Sequence, residues 1–208
     1  MRVPPSKKTY TYLALGDSYT IGEKVAAEEN FPSQTASLLH KKGRKIAKPR
    51  IIAKTGWTTG ELQAALNKAR LKKQYDFVTL LIGVNNQYRG LKVVEYIPEF
   101  EHLLRQAIKL AGNDTTHVVV LSIPDWGVTP FAEGRDRQQI ATDIDAYNAA
   151  NQLLAEKYKV HYINITPATR KASTDASLLA EDGLHPSGKA YAEWAAEVCQ
   201  YLLNETEK

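Results

Sequence analysis

Short runs of apolar and β-branched residues alternate along this chain with longer stretches whose apolar residues recur at helical spacing. The runs are TYTYLALG (9–16), RIIAK (50–54), YDFVTLLIG (75–83), THVVVLSIP (116–124) and VHYINIT (160–166). The third is almost continuously apolar, as expected of a strand covered on both faces. Helices are expected between and after these runs. One spans 30–43 with Pro32 in its first turn, and Thr58 with Glu61 has the spacing of a capping box that opens another near Thr59. A third places Ile97, Phe100, Leu104, Ala107 and Ile108 on one face; Pro98 sets the start of its regular part and Gly112 ends it. Ile140, Ile144, Tyr147 and Leu154 mark a fourth between Asp136 and Tyr158, and a last helix after Pro186 buries Tyr191, Ala195, Val198 and Leu202. A β-α unit repeated five times leads to an open parallel sheet with helices on both faces.

At 208 residues, 43% hydrophobic and 24% charged, the chain has the composition of one globular domain spanning 1–208. No apolar stretch is long enough to span a membrane, and no apolar segment follows the basic residues of MRVPPSKKTY, so a cytoplasmic monomer is expected. The single cysteine, Cys199, cannot form an intramolecular disulfide and suits apolar packing on the last helix. No Cys/His cluster has metal-ligand spacing, and neither metal nor cofactor is expected. The net charge of +4 is concentrated in HKKGRKIAKPR (40–50). Cations there complement the end of the preceding helix, and no aromatic residues interleave with them, which argues against a nucleic-acid partner.

In an open α/β sheet, ligands bind beyond the carboxyl ends of the strands. Gly16-Asp17-Ser18 follows the first strand, Thr55-Gly56-Trp57 the second, Gly83-Val84-Asn85-Asn86 the third, and a loop carrying Asp182-Gly183-Leu184-His185-Pro186 the fifth. Taken singly, each has an ordinary structural reading: Ser18 and Asn85 as helix caps, Gly56 and Gly83 as turn glycines, Asp182 in an Asp-Gly turn, His185 as a surface histidine. Together they supply what acyl transfer through a serine requires: a hydroxyl, an imidazole, a carboxylate and donors for an oxyanion.

GDSYTIGE, TGWTTGEL, GVNNQ and DGLHPSGKAYAEWA occur in this order, and each resembles a block of the SGNH hydrolases, also called GDSL esterases and lipases. The resemblance implies a flavodoxin-like three-layer α/β/α sandwich with a five-stranded parallel sheet. It implies Ser18 as nucleophile, Asp182 and His185 as the rest of a triad, and the Ser18 and Gly56 N–H groups with the Asn85 side chain as oxyanion donors. A spacing of three puts Asp182 and His185 on one turn, where the carboxylate can accept from Nδ1 while Nε2 faces Ser18. The chain departs from the family pattern at Tyr19, where leucine is usual, and at Asn86, where aspartate is usual; an amide there lacks the second charged acceptor.

The expectation is a metal-free, cofactor-free serine ester hydrolase acting on a small-molecule acyl ester of short to medium chain length. Carbohydrate acetyl esters, lysophospholipids and thioesters are the open substrate classes. Tyr19, Trp57, Tyr88, Trp126 and Phe131 are candidates to line an acyl or alcohol pocket. The same residues would serve an acyltransferase. A flavodoxin-like binding module would need a phosphate loop, and Gly16 to Gly22 fits neither common pattern.

Overall fold

The computed structural model describes residues 8–206. Its five strands are all parallel: β1 (Tyr12–Gly16), β2 (Arg50–Ala53), β3 (Phe77–Leu81), β4 (Val118–Leu121) and β5 (His161–Ile163), in the spatial order β2-β1-β3-β4-β5. Every residue of β1, β3 and β4 is buried, which is why their sequences are apolar throughout rather than alternating. The order reverses after β2, so the chain crosses from one side of β1 to the other between β2 and β3 and leaves a crevice between the carboxyl ends of β1 and β3.

The α-helices among the described residues are α1 (Ser18–Ile21), α2 (Phe31–Lys41), α3 (Thr59–Lys68), α4 (Val84–Tyr88), α5 (Val93–Leu110), α6 (Arg137–Lys157), α7 (Thr166–Arg170) and α8 (Gly188–Thr206). On one side α2 packs against α8; on the other, α5 packs against α3, α6 and β3. The capping box at α3 is formed: Thr58 Oγ1 accepts from the Glu61 N–H, and Glu61 Oε2 accepts from the Thr58 N–H at 2.8 Å. Asn30 caps α2 by accepting from the Ser33 N–H. On α8 the predicted residues Tyr191, Ala195, Val198 and Leu202 are buried, with Cys199 beside them.

Several boundaries differ from the sequence expectation. Helix α5 begins at Val93, and Pro98 lies inside it instead of at its start. The proline removes the bond to the carbonyl of Val94, a residue 67% exposed, where water can satisfy it; the helix therefore tolerates the defect. Ile97, placed by periodicity on the inner face, is exposed, and Tyr96 and Leu103 join Phe100, Leu104 and Ala107 there. Strand β5 is three residues long because Thr166 already begins α7, which has Pro167 in its first turn. Among the described residues, no helix is long and apolar enough to cross a membrane.

Candidate active site

The tight corner after β1 depends on Gly16. A Cβ there would sit 2.1 Å from Thr20 Oγ1 and 2.4 Å from the Leu81 carbonyl oxygen, so no other residue lets α1 fold this closely onto the end of β3. Asp17 caps α1, its Oδ1 accepting from the Tyr19 N–H at 3.0 Å. Its carboxyl is fully buried, and burial raises it to about 7; hydrogen bonds from the Tyr19 N–H, its own N–H and Asn85 only partly offset this. Ser18 is the first residue of α1 and is largely buried. Because it opens the helix, its N–H has no intrahelical acceptor, and none is supplied by the other described residues.

Gly56 follows β2 with φ +80°, a conformation that side-chain-bearing residues rarely adopt. Arg89 holds this turn from below, donating from Nη2 to the Gly56 carbonyl at 2.6 Å and reaching Glu61 Oε2 at 3.3 Å. The Gly56 N–H has no acceptor among the described residues. The next carbonyl, that of Trp57, accepts from Asn85 Nδ2 at 2.9 Å, while Asp17 Oδ2 lies 3.4 Å from the same nitrogen. The Asn85 amide plane is thus set by Trp57, and its second hydrogen is held only weakly.

Asn86, the departure from the usual aspartate, is completely buried and bonds in both directions. Its Oδ1 accepts from the Thr59 N–H at 3.1 Å, and its Nδ2 donates to Thr59 Oγ1 at 2.7 Å. The Thr59 hydroxyl in turn bonds Glu99. With the Thr59 hydroxyl donating to Glu99, a carboxylate could make only the first of the two Asn86 bonds, so in this chain the amide ties α4 to the start of α3.

In the loop before α8, Asp182 Oδ1 accepts from the Leu184 and His185 N–H groups, each at 3.0 Å, and Oδ2 lies 2.6 Å from His185 Nδ1. Burial alone would raise the Asp182 carboxyl, but the His185 side chain and these two N–H groups hold it below its ordinary value. An ionised carboxylate at Nδ1 fixes the tautomer that carries its proton there and leaves Nε2 as the acceptor. The Tyr19 ring packs against the His185 ring, centroids 5.1 Å apart.

Ser18, Asn85 and His185 line one cavity of about 150 Å³. Tyr19, Tyr88, Trp126 and Phe131, four of the five aromatic candidates, form much of its wall. Trp57 does not: its side chain packs against the core, and its contribution to the site is the carbonyl that orients Asn85. Gly56 is joined to the cavity through the same Trp57–Asn85 bond. Ser18 and His185 make no hydrogen bond to each other in this structure; such contacts often tighten only when substrate is bound. Val84 and Leu184 complete the wall. Sequence reasoning passed over both, although each stands beside a singled-out residue in GVNNQ and DGLHP. It also passed over Gln87, whose Oε1 accepts from Trp126 Nε1 at 2.7 Å and pins that wall.

The sequence profile of the GDSL-like Lipase/Acylhydrolase family matches residues 14–193, which takes in every one of these residues. The chain belongs to this family. This GDSL-like acylhydrolase is accordingly a carboxylic ester hydrolase. A sequence search of curated proteins found no match. Its fold is similar to that of the lipase/acylhydrolase from Enterococcus faecalis, at 19% identity over 95% of this chain and 97% of that one, with a TM-score of 0.73. It is also similar to Axe2, an acetylxylan esterase from Geobacillus stearothermophilus (17% identity, 97% and 96% covered, TM-score 0.70). A third similar structure is the psychrotrophic esterase EstA from Pseudoalteromonas sp. inhibited by monoethylphosphonate (17%, 96% and 100%, 0.68). These likenesses establish the sheet order and layering of the SGNH hydrolase fold for this acylhydrolase.

Proposed function

We propose that this hydrolase cleaves short- to medium-chain acyl esters through an acyl-enzyme on Ser18, with Asp182 and His185 completing a triad. The observation that carries the reading is the 2.6 Å Asp182–His185 contact beside a cavity shared by His185, Ser18 and Asn85. Ser18 Oγ attacks the ester carbonyl carbon and its proton passes to His185 Nε2. The imidazolium that forms is stabilised by Asp182. The carbonyl oxygen, now an anion, accepts from the Ser18 and Gly56 N–H groups and from Asn85 Nδ2, whose weaker bond to Asp17 is exchanged for a charged acceptor. Collapse breaks the bond to the alcohol oxygen, which leaves with the proton from His185. Water then repeats the sequence on the acyl-enzyme, His185 taking one of its protons, and releases the acid and free Ser18.

The substrate enters past Tyr88 and Phe131, which are 42% and 45% exposed at the cavity mouth. A cavity of this volume accepts a molecule of about six heavy atoms, enough for the ester group and a short acyl chain. That EstA is inhibited by a phosphonate suggests the test. A fluorophosphonate should add once, at the peptide containing Ser18, and p-nitrophenyl acetate hydrolysis should fall by roughly 10⁴-fold or more in both Ser18→Ala and His185→Ala. Labelling at another residue, or a His185→Ala variant with wild-type kcat/KM, would remove the triad.

A further inference from the structure

Behind the catalytic cavity lies a second, smaller one of about 20 Å³, room for about one water molecule. Its lining is almost wholly apolar; the one charged group in it, Asp125, is already paired with Arg170 Nε at 2.8 Å. The two cavities have three residues in common: Tyr19, Trp126 and Leu184. These three residues therefore form the partition between them.

The partition also closes one end of the catalytic cavity. Tyr19 and Trp126 are each 4% exposed, whereas Tyr88 and Phe131, which pack against the outer side of Trp126, are open to solvent. The alcohol must depart after the first half-reaction and needs the open end, which leaves the closed end to the acyl chain. Two of the three partition residues are tied in place. Trp126 donates to Gln87 and packs edge-on against Tyr88 and Phe131, and Tyr19 packs against His185. The Leu184 side chain is half-buried against the core and makes no hydrogen bond or ring contact, and its backbone N–H, not its side chain, serves Asp182.

We infer that Leu184 sets the acyl-chain length this hydrolase accepts: its side chain stops the chain at about four carbons, and the apolar cavity behind it is where a longer chain goes once that side chain is removed. The inference rests on the proposed acyl-enzyme at Ser18 and deepens it by naming the short-acyl end of the substrate range. Each methylene that gains or loses a place in an apolar pocket changes kcat/KM by about tenfold or more.

The experiment compares acetyl, butanoyl, hexanoyl and octanoyl p-nitrophenyl esters. In the wild-type protein kcat/KM should fall steeply beyond butanoyl. In Leu184→Ala the hexanoyl-to-acetyl ratio should rise by about tenfold or more. Leu184→Val, a smaller cut that keeps a branched side chain, should move the ratio the same way by less and guards against a folding failure of the alanine variant. Ala172 lines the rear cavity and not the catalytic one. Adding Ala172→Phe to Leu184→Ala should refill that space and cancel the gain, while Ala172→Phe alone leaves the wild-type profile. Unchanged ratios in both Leu184 variants, with fluorophosphonate labelling of Ser18 intact, would overturn the role of Leu184, as would a gain that survives Ala172→Phe. Failure of the acyl-enzyme reading itself would look different: no labelling of Ser18 and no ester hydrolysis in the wild-type protein.

Discussion

Asn85 and Asp17 are neighbours whose substitutions separate chemistry from stability. Asn85 Nδ2 is oriented by the Trp57 carbonyl and has one weakly engaged hydrogen, which the proposed mechanism gives to the oxyanion. Losing such a donor lowers kcat by about 10²–10³ with little change in KM, and Asn85→Ala should show this in steady-state kinetics. A normal kcat in that variant would make the residue a structural cap. Asp17 has its consequence in pH dependence. In the folded protein its buried carboxyl keeps a proton up to about 7, whereas in the unfolded chain an aspartate releases it near 3.9. Between those values unfolding releases a proton, so raising the pH lowers stability, and above 7 the full cost is on the order of 4 kcal/mol. Asp17→Asn cannot titrate and should lose this slope. Urea midpoints of the two proteins should diverge in favour of the variant as pH rises from 4 to 8; parallel curves would mean that Asp17 is ionised throughout. Asp182 has the opposite sign, its lowered pKa contributing stability that is lost as pH falls through the folded value.

Between elements, the site is held by side chains that join α4 and the residue after it to neighbouring segments. Asn86 joins α4 to α3, Arg89 joins the end of α4 to the Gly56 turn, and Gln87 joins α4 to Trp126. All three belong to or directly follow the five-residue helix α4, which has little core of its own and takes its position from these bonds. Restoring the family's usual residue is therefore harmful here. Asn86→Asp removes the donor to Thr59 Oγ1 and buries a charge near Glu99, which already bonds that hydroxyl. A loss of about 1–3 kcal/mol is expected, read as a lower melting temperature; an equal or higher one would show that Thr59 finds another partner. The capping box at Thr58 and Glu61 was legible from its spacing because it is local. The start of α5 was not, since whether Pro98 opens a helix or sits within it depends on what faces the freed Val94 carbonyl.

At the scale of the molecule, the core and the site occupy different places and should fail separately. Phe100 is fully buried on α5, its ring tilted against that of Tyr96, and it does not line the cavity. Phe100→Ala should cost about 3–5 kcal/mol by chemical denaturation while the specific activity of the folded protein stays near wild type. A proportionate loss of activity would mean that the rear layer shapes the site. The alternation of apolar runs with helical stretches determined the parallel α/β architecture, because parallel strands need crossovers and buried strands need apolar residues on both faces. The four blocks determined the family, and their order brought the candidate residues to the strand ends. What local sequence did not decide is how those ends meet. Trp57 stands beside Gly56 in the chain, yet its ring turns to the core and only its carbonyl serves Asn85. Leu184 carries no polar group to draw notice, and it faces two cavities because loops separated by more than fifty residues close around it. The buried Asp17 carboxyl is raised by the removal of water from every side at once. Packing of remote segments creates such desolvation and partitions, and no pattern within a few residues encodes them.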